Sequence, residues 1–427
     1  IPHTTSRTRM LYLHKPNISC LRAENEGRRE RRIALFTGNY NHNPDGVSLT
    51  LNRLVEHLEE REHTDVLVIG PTVDNPPIDH AGLFLPVPSM RAPARPDYRI
   101  SLGLSAEARR QLRLFDPTLV HIATPDLLGY QTLSWTQKND LPVVGSYHTH
   151  FSSYLKYYGL EGFEGFLWKY LRWFYNQCQH VYVPTHSMAA VLRSHRINQG
   201  LRLWQRGVDT DQFNPDHRSI RWRHSLGIDD HEPVVTFVSR LVWEKGLDVY
   251  AEVIERLQAM DIPHRSMIVG EGPARQELER RLPETVFTGY LNGRELSRAY
   301  ASSDIFLFPS DTETFGNVTL EAMASGVPTV CADATGSDAL VEHQETGFLA
   351  RPGDTDAFLN YVASLIRNPG LRYRMGEAAR TNAREYDWDA IMSQLVSYYD
   401  EILGLNPTRV QPRAFGEPSS LVTAQAS

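Results

Sequence analysis

The sequence predicts an α/β protein built from two doubly wound, Rossmann-like parallel sheets. Three observations carry that expectation. Short apolar runs alternate along the chain with stretches of helical period, the pattern of parallel strands joined by crossover helices. Several of those runs end in a loop that opens a helix, which is how ligand-binding α/β sheets are laid out. The chain's 427 residues also exceed what one core usually organises, so the pattern divides between two domains. We expect residues 32–210 to form the first domain and 211–387 the second, with a last helix at 388–404 crossing back to the first.

Composition narrows the class. Apolar residues make up 41% of the chain and charged residues 22%, the balance of a soluble globular protein. A net charge of −7 gives no reason to expect a nucleic-acid partner, although a local basic patch remains possible. Cys20, Cys178 and Cys331 lie far apart without metal-binding spacing, and read as reduced thiols of a cytoplasmic protein. No apolar run reaches the roughly 18 residues of a spanning helix. The chain opens on Ile1, which leaves a targeting signal open. Residues 1–31 lack any period and end in the charged cluster Arg28-Arg29-Glu30-Arg31-Arg32. They are expected to form a solvated tail, with a membrane-touching basic arm as the other reading. Residues 406–427, rich in Pro, Gln, Ser and Ala, are a second expected tail.

Taken in order, the first strand is Ile33-Ala34-Leu35-Phe36-Thr37-Gly38. A loop with Pro44-Asp45-Gly46 follows, then a helix with Leu51, Leu54, Val55 and Leu58 on one face. There is no GxGxxG string, so dinucleotide binding is unsupported. Further strands are Asp65–Gly70, Leu119–Ala123 and Pro142–Ser146, with helical patterns between them. The last ends in Tyr147-His148-Thr149-His150, at the sheet edge where active-site groups collect. The two histidines lack a nearby third ligand, which argues against a metal.

Between Phe151 and Tyr175, eleven of 25 residues are aromatic. Phe163, Phe166, Leu167, Tyr170, Leu171 and Phe174 recur at helical spacing, as a core-packing helix would have them. Trp168, Trp173, Lys169 and Arg172 keep a second reading open, an interfacial surface that admits a lipid. Val181–Pro184 is a strand, and Thr185-His186-Ser187 a helix start. Arg206–Pro215 reads as an interdomain hinge.

The second domain begins with the strand Pro233–Ser239, ending at Arg240, followed by Leu241–Gly246 and an amphipathic helix. Two cations five residues apart, Arg240 and Lys245, on a strand-to-helix loop suit a diphosphate that gains charge as it leaves. Met267–Gly270 is the next strand, ending in the Gly-Glu-Gly-Pro turn, and Val286–Leu291 the one after. An apolar run, Asp304–Pro309, then leads into SDTETFGNVTLEAMASGVP, residues 310–328. Here two carboxylates, Glu313 and Glu321, flank a strand-to-helix turn at Gly316, where backbone N–H groups can face an anion. Hydroxyls at both ends and phosphates between them describe a nucleotide sugar. Asp354-Thr355-Asp356 spells a metal motif but sits before an apolar helix, as a cap would.

These strings together resemble retaining glycosyltransferases of family 4, which have the GT-B fold. The shared strings are SYHTH, RGVD, the R-x4-K loop, GEGP, VFTG and the E-x7-E region. Within that family the sequence is most similar to sulfoquinovosyl-diacylglycerol synthases and GDP-mannose-dependent α-mannosyltransferases. The resemblance spans roughly residues 32–405. It implies two Rossmann-like domains facing across a cleft, transfer of a hexose from a nucleotide-diphosphate sugar, no metal and no other cofactor. A UDP-sugar is favoured as donor, and GDP-mannose is possible.

Residue by residue, the resemblance places His148 beside the transferred sugar and Arg240 and Lys245 on the diphosphate. It places Glu313 on the sugar hydroxyls and Glu321 on the ribose. Gly46 approaches the donor phosphates, and Tyr290 and Leu291 lie against the base. Gly270, Phe315, Gly316, Asn317 and Val318 complete the donor set. The acceptor it implies is a membrane lipid such as diacylglycerol or ceramide, with peripheral contact on the cytosolic face; a soluble glycan or metabolite is the alternative. Of another class, an epimerase or a donor-binding protein shares the architecture.

Overall fold

The computed structural model describes residues 30–43, 45–92, 95–148, 162, 164–197 and 200–405. The tail expectations for 1–29 and 406–427 lie outside the described residues, as do His150 and most of the aromatic stretch before residue 164. Order is present just ahead of the first strand, where the Arg31 guanidinium lies 3.2 Å from Glu62 and the Arg31 carbonyl accepts from Asp65 N–H.

Two parallel sheets organise the chain. The first comprises β1 (Arg32–Phe36), β2 (Asp65–Gly70), β3 (Leu83–Pro86), β6 (Leu119–Ile122), β7 (Val143–Ser146), β8 (His180–Val183) and β9 (Leu201–Leu203). Its strand order is β3-β2-β1-β6-β7-β8-β9. The second comprises β10 (Val234–Val238), β11 (Arg265–Val269), β12 (Val286–Gly289), β13 (Ile305–Phe308), β14 (Thr329–Ala332) and β15 (Gly347–Ala350), ordered β12-β11-β10-β13-β14-β15. A separate antiparallel hairpin pairs β4 (Ser89–Ala92) with β5 (Arg95–Ser101).

The strands form where unbroken Val, Ile, Leu and Phe runs can be covered on both faces, as parallel sheets require. Every residue of β6, β10 and β13 is buried. Each fully buried Val, Leu, Ile or Phe stabilises the fold by roughly 1.5–3 kcal/mol over leaving it exposed. Between β2 and β6 the sequence predicts helical pattern only. The structure has β3 and the β4–β5 hairpin there before the helix Ala106–Phe115. β4 and β5 carry arginines and lack the apolar run that marks a buried strand, while β3 is a four-residue edge strand that ends at Pro86.

Helices begin where short polar side chains can satisfy their first N–H groups. Asp45 caps α1 (Gly46–Glu60), accepting from Val47 and Ser48 N–H. Thr185 caps the helix His186–Ser194, and Asp354 caps Thr355–Arg367 by accepting from Ala357 N–H. Asp356, the other acid of that string, pairs with Arg256 at 2.7 Å. The last helix, Trp388–Leu403, packs on β8 and β9: Tyr398 stacks on Tyr182, and Glu401 accepts from Arg202 at 2.8 Å.

Contacts among the described residues group the chain into two units. One holds the residues up to Ser146 with Gln177–Gln179; the other holds Tyr147–Asn176 and the residues from His180 on. Each sheet order reverses once, between β1 and β6 in the first and between β10 and β13 in the second. Crevices at such reversals, beyond the carboxyl ends of the strands, are where open α/β sheets take ligands. The loops after β10 and β13 carry Arg240, Lys245 and Glu313.

Candidate active site

The loop that leaves β10 turns through a short 3-10 segment, Trp243–Lys245, and enters the helix Leu247–Ala259. Gly246 joins the two with φ +73°, and a Cβ there would stand 2.6 Å from the Pro309 carbonyl oxygen. Only glycine lets this loop press against the end of β13. The Thr312 hydroxyl stitches the two loops by donating to the Glu244 carbonyl at 3.2 Å. As a result Lys245 Nζ lies 2.5 Å from Glu313 Oε1, with both side chains largely buried. Charge-assisted contacts of this kind are the short, strong ones.

Arg240 differs from Lys245. It is exposed, and its side chain has no ion pair or hydrogen bond to a protein group among the described residues. Its loop rests on the turn after β11, where Gly270 has φ +139° and a Cβ would fall 1.9 Å from the Ser239 carbonyl oxygen. Gly270 therefore supports the Arg240 loop from beneath.

Glu313 is held from the other side as well. The Thr335 hydroxyl donates to its carbonyl at 3.1 Å, and Gly336 packs against its Cβ. Three residues on, Gly316 takes φ +94° and starts the helix Asn317–Ala324 with no side-chain cap. That start leaves first-turn N–H groups, beginning at Asn317 and Val318, to be satisfied by something other than a cap. Phe315 is buried edge-on against Tyr386, fixing the turn, and Val318 packs on the core.

Glu321, one turn further, accepts from the Tyr300 hydroxyl at 2.9 Å. Burial pushes its carboxyl up to about 7, against the opposing pull of the Tyr300 hydrogen bond. A carboxyl so placed is poised to change charge near neutral pH.

The remaining predicted residues are placed as follows. His148 is buried beyond β7, with Nδ1 2.6 Å from Arg206 Nη2 and its carbonyl accepting from the Thr314 hydroxyl at 3.0 Å. Tyr290 is 64% exposed and Leu291 half-buried against the second core. Gly46 is the first residue of α1, where the Asp45 carboxylate takes the N–H groups of Val47 and Ser48. The structure thus brings Lys245 and Glu313 into contact and seats His148 on the residue after Glu313. It gives Glu321 a separate partner in Tyr300.

Sequence reading missed Tyr300, Thr314, Thr335 and Arg206. Tyr300 and Arg206 lie 21 and 58 residues from their partners Glu321 and His148. No local spacing signals them. A cavity of about 400 Å³ lies at the ends of β14 and β15, lined by Asp333, His343, Arg351, Asp354 and Tyr361 among others, and contains none of the predicted residues.

Known families match this layout. The model described as Glycosyltransferase Family 4 matches residues 44–212, and that described as Glycosyl transferases group 1 matches residues 219–382. A GDP-mannose-dependent alpha-mannosyltransferase of Corynebacterium glutamicum is 32% identical over 92% of this chain and 94% of its own. The chain belongs to the family 4 glycosyltransferases. Sulfoquinovosyl transferase SQD2 of Arabidopsis thaliana is 33% identical over 86% of this chain and 72% of its own. Among solved structures, sucrose-phosphate synthase from Thermosynechococcus elongatus superposes with TM-score 0.72 at 20% identity, covering 88% of this chain and 99% of that one. Anabaena HepE in complex with UDP and glucose gives 0.66 at 18% identity, covering 87% and 100%. These likenesses show the GT-B fold, and membership of the family makes this protein a nucleotide-sugar hexosyltransferase.

Proposed function

We propose that this glycosyltransferase moves a hexose, with retention at the anomeric carbon and without a metal, from a nucleotide-diphosphate sugar to a hydroxyl of a membrane lipid. The observation that carries the reading is the sheet reversal between β10 and β13. It offers an unpaired guanidinium at Arg240, the Lys245–Glu313 pair and an uncapped helix start at Gly316. Fixed cations and helix N–H groups are what a departing diphosphate needs. In this reading Arg240, Lys245 and the first turn at Gly316 hold the diphosphate. Glu321 takes the ribose hydroxyls and Glu313 the sugar hydroxyls. His148 serves the sugar side, and Tyr290 and Leu291 meet the base. The anomeric C–O bond breaks toward the diphosphate, and the acceptor oxygen forms its bond on the same face. The acceptor's proton passes to the phosphate oxygen that leaves, so no side-chain nucleophile is required. Excluding water from the bound donor protects it from hydrolysis.

The donor is a UDP-sugar first and GDP-mannose second. Relatives named for GDP-mannose and for sulfoquinovose, and neighbours bound to UDP, keep both in play. The lipid acceptor is favoured by the helix Glu164–Tyr175. It buries Trp168, Leu171, Phe174 and Tyr175 while Phe166 and Trp173 stay exposed, beside exposed Lys169. Aromatic and lysine side chains suit a bilayer boundary. Among the described residues no helix is long and apolar enough to cross a membrane, so contact would be peripheral, on the cytosolic face. The test is mass spectrometry of purified protein with a panel of UDP- and GDP-sugars in EDTA, with and without diacylglycerol or ceramide micelles. Sugar on lipid is the expected product. Donor hydrolysis without lipid product would sink these acceptors and turn the search to soluble glycans.

A further inference from the structure

Arg206 has no part in the donor site as described, yet among the described residues it is one of the most enclosed cations, 4% exposed. Its Nη2 lies 2.6 Å from His148 Nδ1. Trp204 backs both groups. Its ring meets the imidazole edge-on at 5.1 Å between centroids and lies 5.2 Å from the guanidinium carbon. The backbone that delivers Arg206 is tied on either side. Trp204 N–H donates to the Val183 carbonyl at 2.8 Å, and Val208 N–H donates to the Tyr386 carbonyl at 3.0 Å. Between them Gly207 lies so close beneath Trp388 that a Cβ would come within 2.6 Å of the indole. His148 is tied in turn to the loop of Glu313, because its carbonyl accepts from Thr314.

A guanidinium is all donor and stays protonated in proteins, so this hydrogen bond has one sense. Nη2–H donates, and Nδ1 must accept through its lone pair. An imidazole whose Nδ1 accepts is neutral and carries its single proton on Nε2. We propose that Arg206 is a positioning residue for His148, holding it in the neutral Nε2–H tautomer. His148 then serves transfer as a hydrogen-bond donor and not as a general acid or base. The kinetic part of this proposal rests on the reading of His148 as the sugar-side group; the tautomer does not. Lysine at 206 would supply one rotatable donor to Nδ1 without the planar fork, and methionine none.

The test is nitrogen NMR of protein labelled at histidine, with the His148 signals identified by their loss in His148→Asn. The wild type should carry its proton on Nε2 with Nδ1 bare. Arg206→Met should abolish that preference and lower kcat for sugar transfer about tenfold to a hundredfold, the usual cost of losing a group that orients a functional side chain. Donor KM should stay within about twofold, as expected for an interaction used in the transition state. Arg206→Lys should recover part of the loss. In a His148→Asn background Arg206→Met should add nothing, because its effect runs through His148. A proton on Nδ1 in the wild type would overturn the proposal, as would a loss from Arg206→Met undiminished in that background. Should Arg206→Met fail to fold, the wild-type spectrum and the Arg206→Lys kinetics still decide. Wild-type kcat in His148→Asn would instead remove His148 from the sugar side and leave the tautomer to be judged by the spectrum.

Discussion

Lys245 and Glu313 lie 2.5 Å apart, so each partly neutralises the other before any ligand arrives. On the proposed mechanism the ammonium matters most when the diphosphate gains charge. Lys245→Ala should therefore cut kcat far more than it weakens nucleoside binding, measured by steady-state kinetics beside calorimetry. Equal loss in both would count against a transition-state role. Glu321 makes a prediction of opposite sign for stability. Its carboxyl is raised from the ordinary 4.5 to about 7 by burial. Below the ordinary value it is protonated whether folded or unfolded, and burial has no charge to oppose. As pH rises through the window toward about 7 the unfolded chain ionises first. Stability then falls by on the order of 3 kcal/mol and stays low above it. Glu321→Gln should raise Tm at pH 8 more than at pH 5 while weakening nucleoside binding. A variant less stable than wild type at pH 8 would contradict the assignment of that strain.

At the scale of elements, the site is a product of close backbone approach. The turn after β11 can pass under the Arg240 loop only because position 270 has no side chain. Gly270→Ala would set its Cβ 1.9 Å from the Ser239 carbonyl and require a left-handed φ, so one backbone or the other must move. The expected outcome is a loss of about 2–4 kcal/mol in stability by denaturant unfolding, with weaker nucleotide binding. Unchanged unfolding would show the loop to be slack. Much of this level was legible in the sequence. The buried strands β1, β2, β6, β10, β11 and β13 are apolar runs with few other possible states, and the helix at Gly316 announces itself by its glycine turn. What was not legible is β3 and the β4–β5 hairpin, whose sequences carry no period. The pairing of Tyr300 with Glu321, and of Arg206 with His148, depends on how helices and loops stack and leaves no mark in spacing. Gly270, by contrast, was legible as the glycine of a turn that ends a strand. The reason it is required, support of a neighbouring loop, needed the structure.

At the scale of the whole molecule, two sheets of parallel strands each reverse order once, and the groups proposed to hold the donor lie in the loops at the reversal of the second. The proposed lipid acceptor predicts a separable behaviour of the helix Glu164–Tyr175. Phe166 is well exposed and Trp173 partly so, so Phe166→Ala should change stability by no more than about 0.5 kcal/mol and Trp173→Ala by about 1–2 kcal/mol. The pair should lower transfer to lipid in vesicles while sparing donor hydrolysis. Loss of both activities together would assign those rings to the fold. The measurement that bears most directly on the account is calorimetric titration of UDP and GDP, in EDTA, into the wild type, Arg240→Ala and Glu321→Ala. The account predicts that one nucleotide binds the wild type without metal, and that each variant weakens it tenfold or more, about 1.4 kcal/mol. Undiminished binding in both variants would place the donor somewhere other than the loops after β10 and β13.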